Sequence, residues 1–119
     1  MLNQIVVVGR LTKAPEVKEL EDGKKVTNMT LAVPRSYKNA EGQYDTDFVD
    51  CVLWNNIAET TAQYCNKGDI VGVKGRIQTN LYEDKDGNKQ KDTSIVAEKV
   101  TFLSSAKDHD KQDDNDMEV

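Results

Sequence analysis

Over residues 26–33, and again over 48–54, the chain alternates side chains of two kinds at every second position. Neighbouring side chains of a strand point to opposite faces, so this period predicts strands with one face in a core. In the first stretch Met29, Leu31 and Val33 share one face, and Asn28, Thr30 and Ala32 share the other. That second face is small and polar, with room for something flat to lie on it. In the second stretch Val49, Cys51 and Leu53 face one way, and Phe48, Asp50, Val52 and Trp54 the other. Earlier, Ile5, Val6, Val7 and Val8 are apolar without a break. Such a run predicts a strand covered on both faces, or one with its second face in a subunit contact.

Only one stretch has a helical period. Ile57, Ala58, Thr61, Ala62 and Cys65 form a narrow apolar stripe. Asn56 with Glu59 three residues on predicts a capping box, Lys67 suits the last turn, and Gly68 suits the C-terminal cap. Pro15 and the run Glu21-Asp22-Gly23-Lys24 mark an interruption and a hairpin turn. Pro34 is expected to end regular pairing or to sit at a sheet edge. A polar loop is expected over 36–45 with its tip at Asn39-Ala40-Glu41-Gly42, and a second one around 82–87. Between these loops Val71, Val73 and Ile77 alternate with Lys74 and Arg76 on a fourth strand. The last strand, 93–103, slips phase between Ala97 and Val100, which predicts a bulge.

The order is three strands, a short helix, then two strands. That is the order of the all-β, five-stranded OB-fold barrel, whose helix plugs the gap between strands 3 and 4. Residues 1–105 are expected to form this one domain. Residues 106–119 lack periodicity and are rich in Asp, which predicts a disordered acidic tail.

Charge separates the two parts. The chain carries a net charge of −5. From Lys107 onward two Lys stand against six Asp or Glu, so the tail holds four of those negative charges and the body is nearly neutral. An acidic chain argues against nucleic acid as a partner, but a nearly neutral body with an acidic tail does not.

Several function classes are poorly served. His109, the single histidine, lies in the tail, so no Ser-His or Cys-His pair forms in the body, and there is no Gly-rich phosphate loop. Asp45, Asp47 and Asp50 could suggest a metal-dependent nuclease, but Asp47 and Asp50 have opposite parity on a strand and point apart. Cys51 and Cys65 are far apart, with no Cys-x-x-Cys and no nearby histidine. No zinc site, other metal or cofactor is expected, and a reducing compartment, the cytoplasm, suits two thiols packed as small apolar groups. No apolar run is long enough to span a membrane, and no basic patch precedes the first apolar run, so neither membrane segment nor leader peptide is expected.

The informative residues are aromatic. Of seven aromatic side chains, four avoid the predicted core: Phe48 and Trp54 on one strand's outer face, Tyr37 and Tyr82 in the two long loops. Every base has a flat π-face, so such rings bind single strands with little sequence preference. They equally suit packing against a neighbouring subunit or the far side of the barrel. Arg10, Lys13, Arg35, Lys38, Lys74 and Arg76 are candidates to hold phosphates, with an ordinary solvated surface as the alternative for any one of them.

The chain resembles the bacterial and phage single-stranded DNA-binding protein family from residue 1 to about 104. The resemblance rests on Met1-Leu2-Asn3, Val8-Gly9-Arg10-Leu11, Pro15-Glu16-Val17, Thr30-Leu31-Ala32-Val33 and Asp47-Phe48. It continues through Val52-Leu53-Trp54, Ala58-Glu59, Lys67-Gly68, the run 73–79 and Thr93-Ser94-Ile95-Val96. It implies an OB-fold assembling as a homotetramer that wraps single-stranded DNA and protects it during replication, recombination and repair. It also implies that Tyr37, Phe48, Trp54 and Tyr82 stack on bases and that Arg35, Lys74 and Arg76 lie near the strand path. Such a protein is not an enzyme. The other reading is an OB-fold adaptor between proteins of a replisome or primosome. Departures include Asn55, Asn56, Asn80 and Leu81 where basic residues are common. The end, Asn115-Asp116-Met117-Glu118-Val119, replaces the family's acidic tip with its Pro-Phe ending, which puts recruitment of replication or repair partners through the tail in doubt.

Overall fold

The computed structural model describes residues 1–105; the expected acidic tail, 106–119, lies outside the described residues. Six strands and one helix follow in the order β1 (Ile5–Leu11), β2 (Lys18–Glu19), β3 (Lys25–Lys38), β4 (Tyr44–Trp54), α1 (Asn55–Tyr64), β5 (Ile70–Glu83) and β6 (Lys89–Ser104). The five long strands close into a barrel. β1 runs antiparallel to β5 along its length and reaches β3 only where Arg10 and Leu11 meet Ala32 and Leu31. On the far side β4 meets β6 in a short parallel pair, Cys51 opposite Ile95 and Val52 opposite Val96. Closure leaves the backbone few unpaired edges, and α1 lies between β4 and β5 as the OB order requires.

The alternation seen in the sequence sets the core. Met29 and Leu31 of β3, Cys51 and Leu53 of β4, and Val71 and Val73 of β5 are almost wholly buried. Each large aliphatic side chain so buried contributes roughly 1.5–3 kcal/mol. Ala58 and Thr61 of α1, with Cys65 just beyond its last residue, close the same core. Burial, helped by the neighbouring Asp50 charge, pushes the Cys51 thiol up to about 11, and burial beside Asp69 raises that of Cys65. Both therefore stay protonated and pack as apolar groups. All seven aromatic residues lie outside the core, including Tyr44, Tyr64 and Phe102, which the sequence pattern had left to it.

The bulge expected in the last strand is present. Lys74 faces Lys99 and Gly75 faces Ala97, so Glu98 is the extra residue. The backbones approach so closely there that a Cβ on Gly75 would collide with the Val96 carbonyl oxygen. A second irregularity falls at Leu103, between the pairs Ile70–Ser104 and Val71–Phe102. Pro34 does not end β3. It still pairs with Thr46, and the register shifts only after it. Beyond Ala32 the strand has, among the described residues, β4 as its one partner, so a missing N–H is tolerated.

Other expectations are corrected. Trp54, not Asn56, is the N-cap of α1, and its own side chain makes no capping hydrogen bond. Asn55 instead accepts a hydrogen bond from the Lys25 backbone N–H, and Glu59 pairs with the Lys25 ammonium rather than closing a capping box. The helix ends with Cys65 N–H donating to the Thr61 carbonyl, so Lys67 and Gly68 lie beyond it. Gly68 serves the turn into β5, its N–H donating to the Leu11 carbonyl. The two expected long loops are strand arms projecting past the barrel, joined by tight turns. The turns at 39–43, 84–88 and 20–24 share one pattern. In each, the first residue's N–H donates to the last residue's carbonyl, and a glycine at positive φ in the fourth place donates back to the first.

Candidate nucleic-acid interface

The outer face of β3 and β4 follows from register. Val26 lies opposite Trp54, Asn28 opposite Val52, Thr30 opposite Asp50, and Ala32 opposite Phe48. Because β3 presents only small or short side chains there, nothing tall covers the two rings. Phe48 is 67% exposed and Trp54 37%. They stand six residues apart on one strand, roughly 20 Å at about 3.3 Å per residue. Between them the Asp50 carboxylate accepts a hydrogen bond from the Thr30 hydroxyl at 2.8 Å.

Tyr37 and Tyr82 are also exposed, but on strands rather than in loops. Tyr37 sits on the β3 arm; Tyr82 sits on the β5 arm opposite Gln90. The four expected rings thus divide between the barrel face and two arms. A cleft of about 300 Å³ lies beside Phe48, lined also by Asp50 of β4, Ile77 of β5 and Ser94 of β6. Tyr44 was missed. It has the parity of Phe48 and Trp54, is 57% exposed, and lies opposite Lys38, whose Nζ is 5.8 Å from the ring centroid. The signal was its even spacing from Phe48, readable once the strand is taken to begin at Tyr44.

The six candidate cations are not equivalent. Arg35 Nε donates to both Asp47 carboxylate oxygens at 3.2 Å and its Nη2 donates to Oδ1 at 2.9 Å; Nη1 lies 3.7 Å from Asp45. The hydrogen bond to Arg35 and its charge hold the Asp47 carboxyl below the usual carboxylate range, and the same pair raises Arg35. Arg10 donates through Nη1 to the Gly68 carbonyl at 3.2 Å and is partly buried. Lys38 lies on Tyr44. Lys13, Lys74 and Arg76 have no carboxylate partner among the described residues. Arg76 faces Val96, which faces Val52, so Arg76 shares the outer surface of the ring-bearing strand two strands away. Lys13 lines a small cleft with Lys18 and Asn28, and Asn28 lies opposite Val52. Lys18 is a further cation that the sequence did not single out.

The acids are split as their parity requires: Asp47 is turned to Arg35, and Asp50 to Thr30 on the outer face. They form no shared site.

The family model of the single-strand binding protein family matches residues 2–103. The chain belongs to this family. Within it, the chain is 48% identical over 103 residues to single-stranded DNA-binding protein B of Bacillus subtilis, covering 87% of this chain and 91% of that one. It is 48% identical over 105 residues to single-stranded DNA-binding protein 3 of Listeria innocua, covering 88% of this chain and 66% of that one. It is 46% identical over 103 residues to the single-stranded DNA-binding protein of Halalkalibacterium halodurans, covering 87% and 61%. The chain thus spans most of the first relative and under two thirds of the other two. The matched residues span the barrel, and no helix among the described residues is long and apolar enough to cross a membrane.

Proposed function

We infer that this protein is a non-enzymatic, cytoplasmic binder of single-stranded DNA with no sequence preference, serving replication, recombination and repair. Residues 1–105 are the binding domain, and 106–119 form an acidic tail. The observation that carries this reading is the row of uncovered rings, Phe48 and Trp54, on one barrel face whose facing strand offers only short side chains. Bases stack on these two and on Tyr37 and Tyr82. Of the six candidates, Lys13, Lys74 and Arg76 have no carboxylate partner among the described residues and neutralise phosphates, while Arg10, Arg35 and Lys38 are engaged elsewhere in the unbound protein.

Self-association, as a homotetramer, completes the reading. From Ile5 to Gly9 β1 pairs, among the described residues, with β5 alone, so one edge of the strand has no neighbour there. Its outward side chains Val6 and Val8 are 68% and 50% exposed. An apolar strand with a free edge is a surface for another chain, which fits the second-face contact expected from the sequence. The test is to mix the protein with poly-dT, duplex DNA of equal length and buffer alone, with and without Mg²⁺, while following complex mobility and strand length. The reading requires retention of poly-dT over duplex with no shortening of either. Preferential duplex binding, or Mg²⁺-dependent shortening, contradicts it.

A further inference from the structure

The β3–β4 arm ends in a ring and a cation placed side by side. Tyr44, Thr46 and Phe48 alternate along one face of β4, while Asp45 and Asp47 alternate along the other. The two acids are occupied. Asp47 and Asp45 lie against Arg35, and Asp45 also accepts from the Asn39 side-chain amide at 3.1 Å. The face from Tyr44 to Phe48 therefore carries no carboxylate of its own. Lys38 lies directly opposite Tyr44 across the hairpin, with its ammonium over one face of the ring. More than half of the ring residue's surface remains in solvent, which leaves the other face open to a flat ligand.

Hydrogen bonds also fix the turn that joins the pair. The Asn39 side-chain oxygen accepts from the N–H groups of Glu41 and Gln43, at 2.9 and 3.0 Å, and the Asn39 N–H donates to the Gln43 carbonyl at 2.7 Å. Holding a ring in place before binding lowers the ordering cost of a stack. Tyr44 is four residues from Phe48, roughly 13 Å along the strand, so it continues the row Trp54–Phe48 outward.

We propose that Tyr44 and Lys38 form a further nucleotide subsite at the outer end of the stacking face, Tyr44 taking a base and Lys38 the adjoining phosphate. The subsite rests on the single-strand reading above and lengthens the path it describes. Lys38 is suited to this double role. Its ammonium has no carboxylate partner among the described residues, and a cation over a ring can turn toward a phosphate while its stem stays on the ring.

The test is titration of dye-labelled oligo-dT, read by anisotropy, with the full chain and the variants Tyr44→Phe, Tyr44→Leu and Lys38→Gln. Tyr44→Leu keeps apolar bulk across the hairpin but has no π-face; it should weaken binding about 5- to 150-fold, as loss of one stacked base does. Tyr44→Phe should stay within about 2-fold of the parent, since the π-face is kept. Lys38→Gln should make the slope of log K against log salt shallower by about 0.7. If the parent binds while Tyr44→Leu binds equally well, the ring only packs the hairpin and the subsite is overturned alone. If the parent does not bind, the proposed function falls and the subsite with it. A melting temperature on each variant separates a misfolded arm from a lost contact: a Tyr44→Leu protein that melts like the parent and binds weakly supports the subsite, and one that binds weakly only because it melts early overturns it.

Discussion

Arg35 holds Asp47 through two of its nitrogens, across the β3–β4 arm and on the face opposite the rings. A phosphate must compete with this carboxylate and with Asp45 to gain Arg35. Asp47→Asn should therefore raise affinity for oligo-dT and steepen the slope of log K against log salt by about 0.7, the worth of one phosphate contact on a single strand. Arg35→Ala in the parent should change affinity less than Arg76→Ala does. A salt series on the three variants checks this; an Arg35→Ala loss equal to that of Arg76→Ala shows that the ion pair opens without cost.

Acid should act through the β5–β6 turn. Asp84 accepts from the N–H groups of Asn88 and Asp86, at 2.9 and 3.0 Å, and from the Gln90 amide at 3.1 Å; these hydrogen bonds, Asn88's foremost, hold its carboxyl below the usual range. A group with a depressed folded-state value stabilises the fold above its unfolded value, about 3.9 for Asp. That contribution is lost as pH falls through the lower folded value. Asn39 fills the same place in the other arm's turn, so Asp84→Asn should keep the turn and remove the titration. The melting-temperature difference between parent and variant should be constant above about pH 5 and should shift against the parent below about pH 4. A difference flat down to pH 2 contradicts the assignment.

Gly75→Ala should be costly. Its Cβ would meet backbone, the Val96 carbonyl oxygen, with no flexible side chain to give way. Overpacking of this kind costs about 1–3 kcal/mol, and rigid backbone favours the upper end. Denaturant unfolding should show a clear fall in midpoint, whereas Gly72→Ala, whose nearest neighbours would be side chains at 3.7 Å, should be mild. Equal midpoints for the two variants would contradict the close approach at the bulge.

Most of the barrel was legible because its strands are half-buried. Met29 and Leu31, Cys51 and Leu53, and Val71 and Val73 alternate with less buried partners, and the phase slip between Ala97 and Val100 brackets the bulge that the register places at Glu98. The arms were not legible, since past the barrel both faces of a strand are wet and the alternation disappears. Residues 36–38 and 82–83 therefore resembled loop, though they are strand. Tyr37 and Tyr82 were recognised as exposed but misplaced by this, and Tyr44 was lost altogether. Asn56 and Glu59 matched a capping box by spacing alone. The structure spends Glu59 on Lys25, a residue 34 positions away, which no local pattern reveals. The state of Arg35 was hidden for a similar reason, because its partner lies across a hairpin whose register shifts after Pro34.

The free edge of β1 gives a prediction about assembly. Val6→Glu places a charge on the exposed face of the strand without entering the core, as Val6 points outward opposite Lys74. Burying a carboxylate in an apolar subunit contact is unfavourable even with Lys74 opposite, since both charges then lose their water. Sedimentation should show the parent as an oligomer and Val6→Glu as a smaller species with unchanged strand content. A variant of the parent's mass would place the contact elsewhere.

Trp54 is the single tryptophan of the chain, so its emission reports on the ring-bearing face and nothing else. The central measurement is a titration of oligo-dT that follows Trp54 emission and the anisotropy of a dye on the oligonucleotide in the same cuvette. Stacking on this face predicts quenching that saturates together with the anisotropy. It also predicts a Phe48→Ala variant whose affinity falls by roughly 1–3 kcal/mol while its mass is unchanged. Anisotropy that saturates while Trp54 emission stays constant would show that DNA binds elsewhere, and would contradict the account.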